Sequence, residues 1–96
     1  MSEENAATHG ATKHGRPLAL TVLEFRLLQY LMLNPSTAVP TNAIMRYVWG
    51  YDDPSGTDVV RVTVHRLRRK LEDDPNHPVL LRTSPGVGYQ LVAPED

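Results

Sequence analysis

The chain has 96 residues, of which 41% are apolar and 22% charged, with a formal net charge of -1 and no cysteine. That is room for one small domain with a modest hydrophobic core, not for a two-lobed enzyme, and the composition is not that of a disordered chain. Disulfide frameworks and thiolate metal sites are excluded, and no apolar run is long enough to span a bilayer, so a cytoplasmic protein is expected.

Residues 1–15, MSEENAATHGATKHG, are small and polar with no period, and are expected to be a disordered tail or linker, leaving 16–96 as the domain. RPLAL, residues 16–20, reads as a short strand. Thr21 and Glu24 then stand in the S/T-x-x-E relation of a capping box, with Leu20 and Phe25 at the flanking staple positions. Leu23, Leu27, Leu28 and Leu31 follow on one helical face until Asn34-Pro35 ends the pattern, which predicts a first helix with that stripe inward. AVP, residues 38–40, allows at most a minimal strand. Thr41 is placed to cap a short second helix, NAIMRYVW, in which Ile44 and Val48 lie one turn apart and Gly50 is the stop. GYDDPSG is a loop by composition.

Thr57 can cap a third helix whose apolar positions Val60, Val64, Leu67 and Leu71 are spaced four, three and four. At about 100° per residue the opposite face carries Asp58, Val59, Val62, His65, Arg66 and Arg69, with Arg61, Arg68 and Lys70 on the flanks. Five of the ten Lys and Arg residues thus lie on one helix against a single acid, Asp58, while the rest of the chain is net acidic. DDPNHP ends the helix, because its prolines cannot continue it. VLLRT and YQLV follow, joined by SPGVG, whose Pro85-Gly86 and Gly88 supply turn chemistry for a β-hairpin. The fold class is therefore α+β: a winged helix-turn-helix of three helices followed by a C-terminal β-hairpin wing.

In such an arrangement the later helix of the pair enters the DNA major groove while the earlier one crosses the backbone. Arg66, Arg68 and Arg69 offer planar donor forks suited to phosphates or to the O6/N7 edge of guanine, and His65 can donate to either. Val62, and Val59 beside it, lie where a small apolar group gains nothing unless it meets another, and a thymine methyl is such a partner.

LTVLEFRLLQYLMLNP, VWGYD, VHRLRRKLEDDP and GVGYQL also occur in the order and spacing of a known family. Over about residues 18–93 the chain resembles the OmpR/PhoB-type winged-helix domain, the DNA-binding output domain of bacterial two-component response regulators. The resemblance implies groove reading from the positions of Asp58, Val62, His65 and Arg66, phosphate contact from Thr83, a receiver domain in a longer parent chain, and two copies bound in tandem on DNA; alone, the domain is expected to be monomeric, because its basic face repels itself and no apolar stripe is left over for a partner. It implies further that the loop with Tyr51, Asp52 and Asp53 is a candidate surface for RNA polymerase, with a plain spacer as the equal alternative. Three departures stand out. Asp58 stands where members commonly have Arg or Asn, and either accepts from a cytosine amino group or simply favours the positive helix N-terminus. Only RPLAL could belong to the four-stranded sheet that members carry before the first helix, and Pro85 replaces the arginine common at the wing tip. A wing without that arginine is expected to meet the backbone through Thr83 and Ser84, leaving specificity to the third helix.

Other readings are weaker. A winged-helix module that docks onto another protein would use the same exposed valines and arginines, but would not show the salt dependence of phosphate contacts. Trp49 and Tyr89 read as packing aromatics, since none is interleaved with the basic stretch. His9, His14, His65 and His77 have no ligand spacing, and no nucleophile or base accompanies Asp52 and Asp53, so neither a metal, nor another cofactor, nor an enzyme is expected.

Overall fold

The capping box sets where the first helix begins. In the computed structural model, which describes residues 12–13, 16–50 and 56–92, the Glu24 N–H donates to the Thr21 hydroxyl at 3.2 Å and the Thr21 N–H to Glu24 Oε1 at 3.0 Å. Helix α1, Val22–Met32, runs from that cap. Leu20 is fully buried in front of it and Phe25 is half-buried, as a hydrophobic staple requires. Leu27, Leu28 and Leu31 face the core, but Leu23 does not: it is 38% exposed, and Glu24 holds the inward position. The reciprocal cap bond folds the Glu24 side chain back, and Lys70 Nζ meets its Oε1 at 2.6 Å, so the carboxylate is buried with partners. Ahead of α1, strands β1, Thr12–Lys13, and β2, Arg16–Pro17, form a short antiparallel ladder that takes up only the first two residues of RPLAL.

Helix α2, Thr41–Val48, starts at Pro40, whose ring holds φ at -61 for an extended entry, and no side chain caps it. Thr41 is thus the first helical residue and not the cap expected from its type; its N–H is taken instead by the Val87 carbonyl at 3.2 Å. Ile44, Met45 and Val48 point inward, and Gly50, at φ +93, ends the helix. Helix α3, Gly56–Leu71, already includes Thr57 as its second residue, so Thr57 is not the cap expected from its type. Val60, Val64, Leu67 and Leu71 are all buried, as their spacing predicts. Thr63 joins them because its hydroxyl donates to the Val59 carbonyl at 2.9 Å. The three stripes close one core with Leu20, Val39 and Leu81, each fully buried aliphatic side chain contributing roughly 1.5–3 kcal/mol. Trp49 and Tyr89 are half-buried at its edge, as packing aromatics.

Strands β3, Val39–Pro40, β4, Leu81–Ser84, and β5, Gly88–Leu91, form an antiparallel sheet in the order β3-β5-β4. The last two are the expected hairpin. Gly88 has a role beyond the turn, since a Cβ there would strike the Val39 carbonyl and lie 2.8 Å from the Thr41 nitrogen. Its missing side chain lets the hairpin approach the start of α2.

Glu72 fixes where β4 begins. It is 4% exposed; its Oε1 accepts the Val79 and Leu80 N–H groups at 3.0 and 3.2 Å, and its Oε2 those of Leu80 and Leu81 at 3.0 and 2.6 Å. Between these points Asp74 accepts from the Asn76 N–H and meets the His77 ring at 3.0 Å. The His77 contact first, and the Asn76 bond second, hold the exposed Asp74 carboxyl below its ordinary range.

Candidate nucleic-acid interface

The phase of α3 decides which side chains are available. Asp58, Val59, Val62, His65, Arg66 and Arg69 are all exposed, as the spacing of the buried positions requires. Val59 and Val62 are 40% and 44% exposed although both are apolar. Among the described residues no ion-pair or hydrogen-bond partner is assigned to the side chains of His65, Arg66 or Arg69. At the start of the helix Asp58 and Arg61 pair across one turn at 2.7 Å, both largely exposed. Such a pair contributes at most about 1 kcal/mol and is easily exchanged for an external partner.

The flanking cations are engaged elsewhere. Lys70 is on Glu24 of α1, so it is not one of the free charges suggested by its place in VHRLRRKL. Arg68 is half-buried and turns toward the hairpin, where its Nε donates to the Leu81 carbonyl at 2.9 Å and a terminal nitrogen to the Thr83 hydroxyl at 2.8 Å. Its guanidinium lies 5.7 Å from the centre of the Tyr89 ring. The structure thus brings Arg68 and Thr83 together in an internal contact. At the hairpin tip the Val87 N–H donates to the Ser84 carbonyl at 3.0 Å and Gly86 has φ +77, so Pro85-Gly86 forms the centre of a type II turn. Thr83 and Pro85 are exposed and Ser84 half-buried. Tyr51, Asp52 and Asp53 lie outside the described residues.

Sequence reasoning missed the anchoring residues. The four bonds to Glu72 reach only seven to nine residues along the chain and the Glu24–Lys70 pair joins residues 46 apart, but both lie beyond the span of a capping box or one helical repeat, so local pattern carries no trace of them. The one available signal was negative: Glu24 is the acid of a capping box, so its side chain was already committed toward the helix start.

One face therefore offers charged donors, two small apolar groups and an adjacent polar turn. Among the described residues no group of three His, Asp or Glu side chains is placed to hold a metal ion, and no helix is long and apolar enough to cross a membrane.

Residues 15–91 match the family model described as "Transcriptional regulatory protein, C terminal". The chain is 39% identical over 92 residues, 96% of its length, to the DNA-binding response regulator MtrA of Mycolicibacterium paratuberculosis, and spans 41% of that protein. It thus covers about two fifths of this curated relative. Among solved structures it is similar to the RstA DNA-binding domain of Klebsiella pneumoniae in complex with RstA box, with a TM-score of 0.75, 26% identity, and coverage of 81% of this chain and 77% of that one. It is also similar to response regulator DrrB of Thermotoga maritima, described as an OmpR/PhoB homolog, with a TM-score of 0.73, 32% identity, and coverage of 82% and 36%. With the helix order, the hairpin wing and the family match in agreement, the chain belongs to the OmpR/PhoB-type family of transcriptional-regulator C-terminal domains.

Proposed function

We propose that this domain binds double-stranded DNA sequence-specifically as the output domain of a bacterial two-component response regulator. Helix α3 lies in the major groove and the wing rests on the adjacent backbone. The observation that carries this reading is the outer face of α3, where His65, Arg66 and Arg69 are exposed with no side-chain partner among the described residues, beside the exposed Val59 and Val62. Charged donors next to small apolar groups suit a surface of phosphates, guanine edges and thymine methyls. Arg66 reads bases with His65, Val62 and Val59; Arg69 and Thr83 hold phosphate, with Ser84 at the backbone beside Thr83. Asp58 accepts from a cytosine amino group once Arg61 turns to a phosphate. The naming of MtrA as a DNA-binding response regulator and the solution of the RstA domain with its DNA box support the same reading.

The family resemblance supports tandem binding. The isolated domain is monomeric, and two copies occupy half-sites about 10 base pairs apart, one helical turn. The parent chain carries a receiver domain, works in the cytoplasm, and contacts RNA polymerase through the loop of Tyr51, Asp52 and Asp53. The test is a mobility shift of genomic fragments at two salt concentrations, followed by footprinting. Retarded fragments that are released by salt and protected as paired half-sites are expected; salt-insensitive retention, or one unpaired half-site at saturation, would contradict the reading.

A further inference from the structure

One side chain bridges the recognition helix and the wing. Thr83 and Tyr89 stand directly opposite each other in the β4–β5 ladder and share a face of the hairpin with Leu81, two residues along. Arg68 lies along that face. It spans from the Leu81 carbonyl to the Thr83 hydroxyl, at 2.9 and 2.8 Å, with its guanidinium near the Tyr89 ring. Its Nε and one terminal nitrogen are therefore committed within the protein, whereas Arg66 and Arg69 on the same helix are more exposed.

Resting on the DNA-binding reading above, we propose that Arg68 is a positioning residue: it does not contact DNA, but sets the angle of the wing to α3 and aims the Thr83 hydroxyl at a phosphate. A hydroxyl has one hydrogen to donate and lone pairs to accept with. Because Thr83 Oγ1 accepts from Arg68, its hydrogen is directed away from the helix, to the exposed side of the strand. A phosphate oxygen there accepts from an already oriented donor. Lysine cannot replace Arg68, since an ammonium is a point donor and lacks the rigid fork that reaches two acceptors along one strand.

The test uses a duplex recovered by the wild-type protein from a random-sequence pool. Its affinity is measured by fluorescence anisotropy for wild type, Arg68→Ala, Arg68→Lys, Thr83→Val and the double variant Arg68→Ala/Thr83→Val, with thermal melting alongside. Each single variant is expected to bind about 3- to 10-fold more weakly, the size of one hydrogen bond. The double variant is expected to be no weaker than the single ones, and Arg68→Lys no better than Arg68→Ala. Restoration by lysine, or losses that multiply in the double variant, would show that Arg68 holds phosphate on its own account and overturn the proposal. If Arg68→Ala melts below the assay temperature, Arg68→Lys and Thr83→Val decide: equal losses support the proposal, and a wild-type-like lysine variant overturns it. Failure of the wild type to enrich any sequence is a separate outcome, and it overturns the DNA-binding reading and this proposal with it.

Discussion

Replacing Lys70 with methionine should damage the fold and spare the interface, whereas the same change at its neighbour Arg69 should do the reverse. The Lys70 ammonium is 2.6 Å from Glu24 Oε1; the lysine side chain is 35% exposed and the glutamate 4%. Removing it leaves a buried carboxylate with the Thr21 N–H as its remaining described partner. Breaking a fully buried pair costs about 3–5 kcal/mol and an exposed one at most about 1. Water can reach the space left by a lysine that is a third exposed, so a loss of about 1–3 kcal/mol is expected here. In a domain of this size that lowers the melting temperature by about 5–20 °C, readable by circular dichroism. Arg69→Met removes an exposed side chain with no partner among the described residues and should shift melting by no more than about 4 °C. Duplex binding across a salt series gives the complementary readout. Arg69→Met should reduce the log-log slope by about 0.9, the share of one phosphate contact, and Lys70→Met should leave it unchanged. If Lys70→Met flattens the slope and leaves melting intact, Lys70 leaves Glu24 for DNA and the division of labour described above is wrong.

Glu72→Ala should cost about 2–5 kcal/mol, because it strips partners from three backbone N–H groups of which those of Leu80 and Leu81 stay sheltered; chemical denaturation showing a loss below about 1 kcal/mol would mean that the carboxylate is not the anchor of β4. Val62→Asp should melt like wild type yet weaken duplex binding by more than about 10-fold, since it sets a negative charge against the duplex; an unfolded variant would mean that Val62 is buried and the helix phase wrong. Pro85→Arg should strengthen binding to A·T-flanked sites more than to G·C-flanked ones in paired titrations, by giving the wing a side chain for the minor groove. A native protein that already strongly prefers A·T flanks would show another residue, such as Arg82, reading that groove.

Much of the scaffold was legible because it rests on local periodicity. The spacing of Val60, Val64, Leu67 and Leu71 orients α3, and with it every exposed residue of the interface, because burial of one stripe leaves the other face no choice. The Thr21–Glu24 box and the Pro-Gly turn were legible for the same reason, as each is complete within four residues. Long-range partners were not. Leu23 fits the apolar stripe by spacing, yet Glu24 takes the buried position because Lys70, distant in the chain, is there to meet it. The position of Thr41 suggests a cap, but Val87 from the hairpin takes its N–H, and Pro40 already supplies the entry. Arg68 and Lys70 look equivalent within VHRLRRKL; only the packed α1 and wing assign one to Thr83 and the other to Glu24. In the candidate site, residue type and helix face were readable, while the internal engagement of each cation was a property of the assembled domain.

The most direct measurement of the central claim is the affinity of the domain for duplex DNA, recovered by selection and compared with a scrambled duplex, over a salt series. The exposed outer face of α3, with Arg66 and Arg69, calls for tight binding to the selected duplex and a steep loss with salt, at about 0.9 log units per phosphate contacted for each decade of salt. Equal affinity for the two duplexes together with a flat salt response would contradict it, and would leave that face as a docking surface for protein.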